Sequence, residues 1–91
     1  MTVRRRERWR SVLELEVQRW SAHSYEFLID ALLELDNYTV ERDSRTYQVE
    51  VQLLETTDAY VHVSVSVDDG KLPASLVPAT ATFVVKRVLK K

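Results

Sequence analysis

Two runs of alternating residues constrain this chain more than anything else in it. In 46–55, Tyr47, Val49, Val51 and Leu53 alternate with Gln48, Glu50 and Gln52. In 59–67, Val61, Val63, Val65 and Val67 alternate with Tyr60, His62, Ser64 and Ser66. A period of two sends successive side chains to opposite faces of a strand, so each run reads as a strand with one dry and one wet face. The polar connection Thr56-Thr57-Asp58 is short enough to make the pair an antiparallel hairpin. A sheet that is apolar on one side needs a cover, which the rest of the chain must supply.

The cover is expected upstream. From Arg4 to Trp20, the residues Trp9, Val12, Leu13, Val17 and Trp20 recur at helical spacing. Leu13, Leu15 and Val17 also alternate, so a strand competes for residues 10–18. Helix is preferred, because Glu, Arg, Leu and Gln are good helix formers and both tryptophans then share a face with Leu13 and Val17. Ser21-Ala22-His23-Ser24 interrupts the pattern, its serines suited to cap a new helix. Tyr25–Leu35 follows as a second helix, with Phe27, Leu28, Ala31, Leu32 and Leu35 on one side and Glu26, Asp30 and Glu34 on the other. Leu13, Val17, Trp20, Ser24, Leu28, Ala31 and Leu35 keep a near-heptad spacing. One long helix kinked near Ser21, or a coiled-coil partner, is thus the rival to an ordinary core stripe laid on the sheet.

Asp36-Asn37 is expected to end the second helix, Asn taking the left-handed cap. Tyr38–Arg42 reads as a short strand with Tyr38 and Val40 inward, and Asp43-Ser44 as a tight turn. In Asp68-Asp69-Gly70-Lys71, the chain's only glycine is expected to supply a positive φ. Between Pro73 and Pro78 no long regular element fits, beyond a single turn of helix opened by Pro73. Ala79–Val88 closes the chain as a last strand, with Ala81, Phe83 and Val85 on one face and Thr82, Val84 and Lys86 on the other. The expected fold is α+β: two N-terminal helices, or one kinked helix, packed on one face of a three- to four-stranded antiparallel meander. A length of 91 residues fits a single domain, with 1–3 and 89–91 expected to be disordered.

The net charge of −1 conceals a division of sign. Residues 1–10 hold Arg4, Arg5, Arg6, Arg8 and Arg10 against Glu7 alone, and Lys86, Arg87, Lys90 and Lys91 crowd the other end. Between them, residues 11–85 carry thirteen acidic side chains and four basic ones. With no cysteine, the chain makes no disulfide and no thiolate metal site. No apolar run approaches the roughly 18 residues that cross a bilayer, and the arginine-rich start lacks the apolar core of a secretory signal. A cytoplasmic protein without membrane contact is the expectation.

Chemistry is harder to find. His23 and His62 stand far apart, neither with a second histidine at ligand spacing. Nucleophile elbow, P-loop, dinucleotide glycines and HExxH are all missing, and Asp68-Asp69-Gly70 lacks the later carboxylate of a calcium loop. The chain is therefore expected to be neither an enzyme nor a cofactor or metal carrier. The surface that stands out is the wet face, where Gln48, Glu50, Gln52, Tyr60, His62 and Ser64 form a nearly lysine-free carpet suited to an adaptable protein interface. An exposed edge strand would offer a second way to meet a partner, another protein or a second copy of the chain. The functional expectation is a non-catalytic protein-interaction module of accessory, inhibitor or immunity type. The alternative is a nucleic-acid-associated regulator binding phosphates through Arg4, Arg5, Arg6, Arg8 and Arg10, with Trp9 to stack; against it, the acidic body repels a polyanion.

Overall fold

The computed structural model describes residues 2–70 and 78–88, and for residues 2–6 the backbone alone. Helix α1 spans Thr2–Ser21 and α2 spans Tyr25–Ala31; strands β1 (Asp36–Arg42), β2 (Arg45–Thr56), β3 (Tyr60–Asp68) and β4 (Ala79–Lys86) follow. The strands form one antiparallel sheet in the order β1-β2-β3-β4, and the helices pack on one face of it. This is the α+β architecture that the alternating runs demand, with four strands.

The inner face is the alternating set. Tyr47, Val49 and Val51 of β2 and Val61, Val63, Val65 and Val67 of β3 are all buried. Trp9, Val12 and Leu13 from α1, with Tyr25, Leu28 and Leu32 from α2 and its end, close the core above them. Helix wins over strand for residues 10–18 for a visible reason. Leu15, which an inward strand would bury beside Leu13 and Val17, stands exposed on the far side of α1.

The two helices are separate. Ala22-His23-Ser24 leaves the helical path, and Ser24 caps α2 by accepting a hydrogen bond from the Phe27 N–H at 3.1 Å. One continuous kinked helix is therefore excluded. Helix α2 is also shorter than its sequence pattern, ending at Ala31 instead of Leu35. Leu32 turns into the core, whereas Phe27, Ala31 and Leu35, expected on the apolar side, are exposed. Asp36-Asn37 does not cap this helix; both residues open β1, paired with Val51 and Glu50. At this sheet edge every second residue turns both its N–H and its C=O toward β2, so pairing satisfies backbone groups that a helix end would leave open, and it outcompetes the cap.

Other boundaries moved by a few residues. Helix α1 already includes Thr2 and Val3, and β4 stops at Lys86, with Val88 largely exposed. The single helical turn expected after Pro73 and the tail 89–91 lie outside the described residues. Turns follow their residue chemistry. Asp43 and Ser44 both adopt positive φ between β1 and β2, the backbone that a two-residue hairpin requires. In the β2–β3 turn the Thr57 hydroxyl accepts from the Ala59 and Tyr60 N–H groups, each at 3.1 Å. The Tyr25 hydroxyl donates to the Thr57 carbonyl at 2.6 Å, tying α2 to that turn, and the Arg87 guanidinium lies 5.7 Å from the Tyr25 ring.

A polar cluster fixes α1 against β1. Glu16 sits in the apolar stripe of α1 and is only 5% exposed. Its carboxylate accepts from the Tyr38 hydroxyl and, at 2.9 Å, from Arg19 one turn later. The Trp20 indole N–H donates to the same Tyr38 oxygen at 2.7 Å. A buried carboxylate is tolerable only when its lone pairs are occupied, and here they are. Burial, then the hydrogen bond to Glu16, pushes the Tyr38 hydroxyl from 10.0 up to about 12. A phenol whose folded pKa is raised holds its proton more tightly folded than unfolded, so its contribution is complete below pH 10 and is lost as pH rises toward 12. The melting temperature of the wild type should fall across that window more steeply than that of Tyr38→Phe, which has no proton to lose. A pH series of thermal melts reads the difference.

Leu28 is fully buried and Leu33 is 76% exposed. Leu28→Ala should cost about 2–5 kcal/mol in chemical denaturation. Leu33→Ala should stay within about 0.5 kcal/mol of wild type.

Candidate interaction surface on the outer sheet face

The even-numbered residues of β3 point away from the helices, and antiparallel register sorts their neighbours into rows. Glu50 lies opposite Ser66, Gln52 opposite Ser64, and Gln48 opposite Asp68. From the other side, Thr80, Thr82, Val84 and Lys86 of β4 face Ser66, Ser64, His62 and Tyr60. Asn37 and Thr39 of β1 extend the rows at Glu50 and Gln48. All six residues singled out from the sequence, Gln48, Glu50, Gln52, Tyr60, His62 and Ser64, therefore fall on one continuous face. From the Asp68 row to the His62 row it runs roughly 20 Å, at about 3.4 Å per residue.

The face changes character along its length. At the Asp68 end lies a polar depression of about 420 Å³ bounded by Asn37, Thr39, Gln48, Glu50, Ser66 and Asp68. The Ser66 and Thr80 hydroxyls share a hydrogen bond of 3.0 Å across strands, and the Asp68 carboxylate accepts the Gly70 N–H at 2.6 Å. Ser64, in the middle, is buried although no described helix covers it. At the opposite end the surface is aromatic and partly apolar. There the Tyr60 hydroxyl donates to Glu55 at 2.8 Å, and this bond to a carboxylate holds the phenol's pKa above its ordinary value. His62 stands between Glu55 and the half-exposed Val84.

One residue here escaped the sequence pattern. The β2–β3 register shifts between Leu53 and Glu55, so that Leu53 opposes Val63 and Glu55 opposes His62. Leu54 is the extra residue of this bulge and is 51% exposed. The doublet Leu53-Leu54, two adjacent apolar residues inside a strict alternation, was the available signal.

The remaining candidates lie elsewhere. His23 is in the break between the helices, its ring stacked on Phe27 at 4.0 Å and edge-on to Trp20 at 6.1 Å. It thus extends the aromatic row of Tyr38 and Trp20 and shares no surface with His62. Among the described residues no group of three or more His, Asp or Glu is placed to hold a metal ion. Arg4, Arg5, Arg6, Arg8 and Arg10 lie in α1, whose first turn has no acidic residue to complement the helix dipole. The side chains of Arg4, Arg5 and Arg6 lie outside the described residues; Arg8 is half-buried and Arg10 exposed. No described helix is long and apolar enough to cross a membrane. Compared with known protein families, curated proteins and solved structures, the chain matches none.

Gly70 borders the polar end. Its φ is +72°, and a Cβ there would sit 3.0 Å from the Gln48 side-chain nitrogen. Gly70→Ala should destabilise by about 1 kcal/mol or more, since backbone strain and the close approach act together. Denaturant titration measures this cost, and the Gln48 side-chain amide resonances should shift with it.

Proposed function

We propose that this chain is a non-catalytic protein-interaction module that presents the outer face of its sheet to another protein, as an accessory, inhibitor or immunity-type protein of the cytoplasm does. One observation carries the reading: a continuous face, covered by no described helix, whose aromatic end gathers Tyr60, His62 and Val84 beside the bulge residue Leu54. Tyrosine and histidine offer a large contact area with a polar tip, and half-exposed aliphatic residues beside them provide area to desolvate on binding. The polar end, with Gln48, Glu50, Ser66 and Asp68, would supply the hydrogen-bonding rim. No observation favours the nucleic-acid alternative through Arg4, Arg5, Arg6, Arg8 and Arg10, and the acidic body weighs against it.

Affinity purification from the native host separates the two. A protein partner should be retained by the wild type, and the paired substitutions Tyr60→Ala and His62→Ala should weaken it at least about tenfold with the melting temperature preserved. If every captured complex survives those substitutions unchanged, the sheet-face reading is wrong. Capture of nucleic acid that fades steeply with salt and vanishes on neutralising the arginines would favour the alternative.

A further inference from the structure

The sheet has two edges, and they are not alike. Strand β1 carries Asp36, Glu41 and Arg42 along its seven residues and is tied to α1 through Tyr38. Strand β4, Ala-Thr-Ala-Thr-Phe-Val-Val-Lys, has no charge before its last residue, no proline and no bulge. Sheet edges are normally protected by such features, because an open edge recruits further strands.

One backbone hydrogen bond fixes the direction of the open groups along β4. The Arg87 N–H donates to the Ala59 carbonyl at 2.8 Å, continuing the register in which Lys86 faces Tyr60. Backbone groups alternate in direction along an antiparallel strand, so Val85, Phe83, Ala81 and Ala79 address β3. Thr80, Thr82, Val84 and Lys86 then turn their N–H and C=O groups outward, to an edge that no described strand pairs.

We propose that a second copy of this chain occupies that edge, β4 pairing antiparallel with β4 of its partner about a two-fold axis at Thr82, to give a continuous eight-stranded sheet. Charge complementarity selects this occupant. Lys86 lies at one end of β4, whereas the other end lies beside Asp68, since Val67 pairs with Ala79. With Thr82 opposite its own copy, Thr80 faces Val84 and Lys86 faces Pro78, which brings each lysine toward Asp68 one strand further on. Both ends gain this contact at once, as an isologous interface requires. On the helix side the same register sets Phe83 against Ala81 and Val85 against Ala79, large against small. The groove of about 460 Å³ between α1 and β4, floored by Leu13, Val17 and Ala81, would be closed by the partner's helix layer. This interface lies along the sheet edge; it shares Asp68 with the polar rim of the outer face and leaves Tyr60 and His62 outside the pairing.

Sedimentation equilibrium of the intact chain should show a species of twice the chain mass that weakens as salt rises. Thr82→Pro removes only an outward N–H, at the axis in both copies, and should raise the dimer dissociation constant at least about tenfold with the fold intact by circular dichroism. Lys86→Gln and Asp68→Asn, the latter keeping an acceptor for Gly70, should each weaken the dimer, and the double variant should weaken it no further than either alone. Within one chain these two side chains sit about 27 Å apart along the strands, so such coupling reports a contact between copies. Tyr60→Ala with His62→Ala, which tests the outer face, should leave the dimer in place. A chain that stays monomeric at millimolar concentration, or a dimer indifferent to Thr82→Pro or showing additive losses at Lys86 and Asp68, overturns the proposal.

Discussion

The fold depends on the desolvation of one sheet face. Val61, Val63, Val65 and Val67 of β3 have no exposed surface at all. Each fully buried side chain of this kind contributes roughly 1.5–3 kcal/mol, a large quantity against the few kcal/mol by which a domain of this size is stable. The helical layer is small, 20 residues in α1 and 7 in α2, and has to cover this face efficiently. That requirement accounts for Trp9 being nearly fully buried and for the chain turning Leu32 into the core after α2 has ended.

Apolar contact is weakly directional, and α1 could slide on a lawn of valines at little cost. The Glu16–Tyr38–Trp20 cluster removes that freedom. A carboxylate lodged in the apolar stripe of α1 is acceptable only where the Tyr38 hydroxyl and Arg19 meet it, so one position of the helix against β1 is preferred over its neighbours. At the opposite corner the Tyr25 hydroxyl bound to the Thr57 carbonyl does the same for α2. These polar ties give orientation to a core whose stability comes from burial.

With the helices committed to one side, the described residues leave two kinds of surface open, and they differ in physical type. The outer face offers side chains: polar at the Asp68 end, aromatic and aliphatic near Tyr60, His62, Val84 and Leu54. The β4 edge offers main-chain groups in fixed alternation, flanked by opposite charges. A side-chain surface discriminates among partners by shape and chemistry, whereas an edge pairs with any extended chain and needs charge or symmetry to be selective. The two can be used together, because pairing at the edge engages the outer face only at Asp68 and Lys86 and leaves Tyr60, His62 and Leu54 open.

Much of this was legible in the chain. Alternation over 46–55 and 59–67 determined the central hairpin, its inner valines and the shared face of Gln48, Glu50, Gln52, Tyr60, His62 and Ser64, because side-chain direction in a strand is a local property. Helical spacing from Trp9 to Trp20 determined α1, and residue chemistry determined the turns at Asp43-Ser44 and Gly70. What tertiary structure alone decided involved competition between distant segments. Asp36-Asn37 has the chemistry of a helix end, yet pairing with Val51 and Glu50 drew it into β1 and cut α2 short. The doublet Leu53-Leu54 marked a break in the alternation, but only the register against β3 made it a bulge with Leu54 exposed, and Glu16 was buried because Tyr38, 22 residues away, came to meet it. Local periodicity records which face a residue prefers; which distant group will satisfy it is settled only when the layers meet.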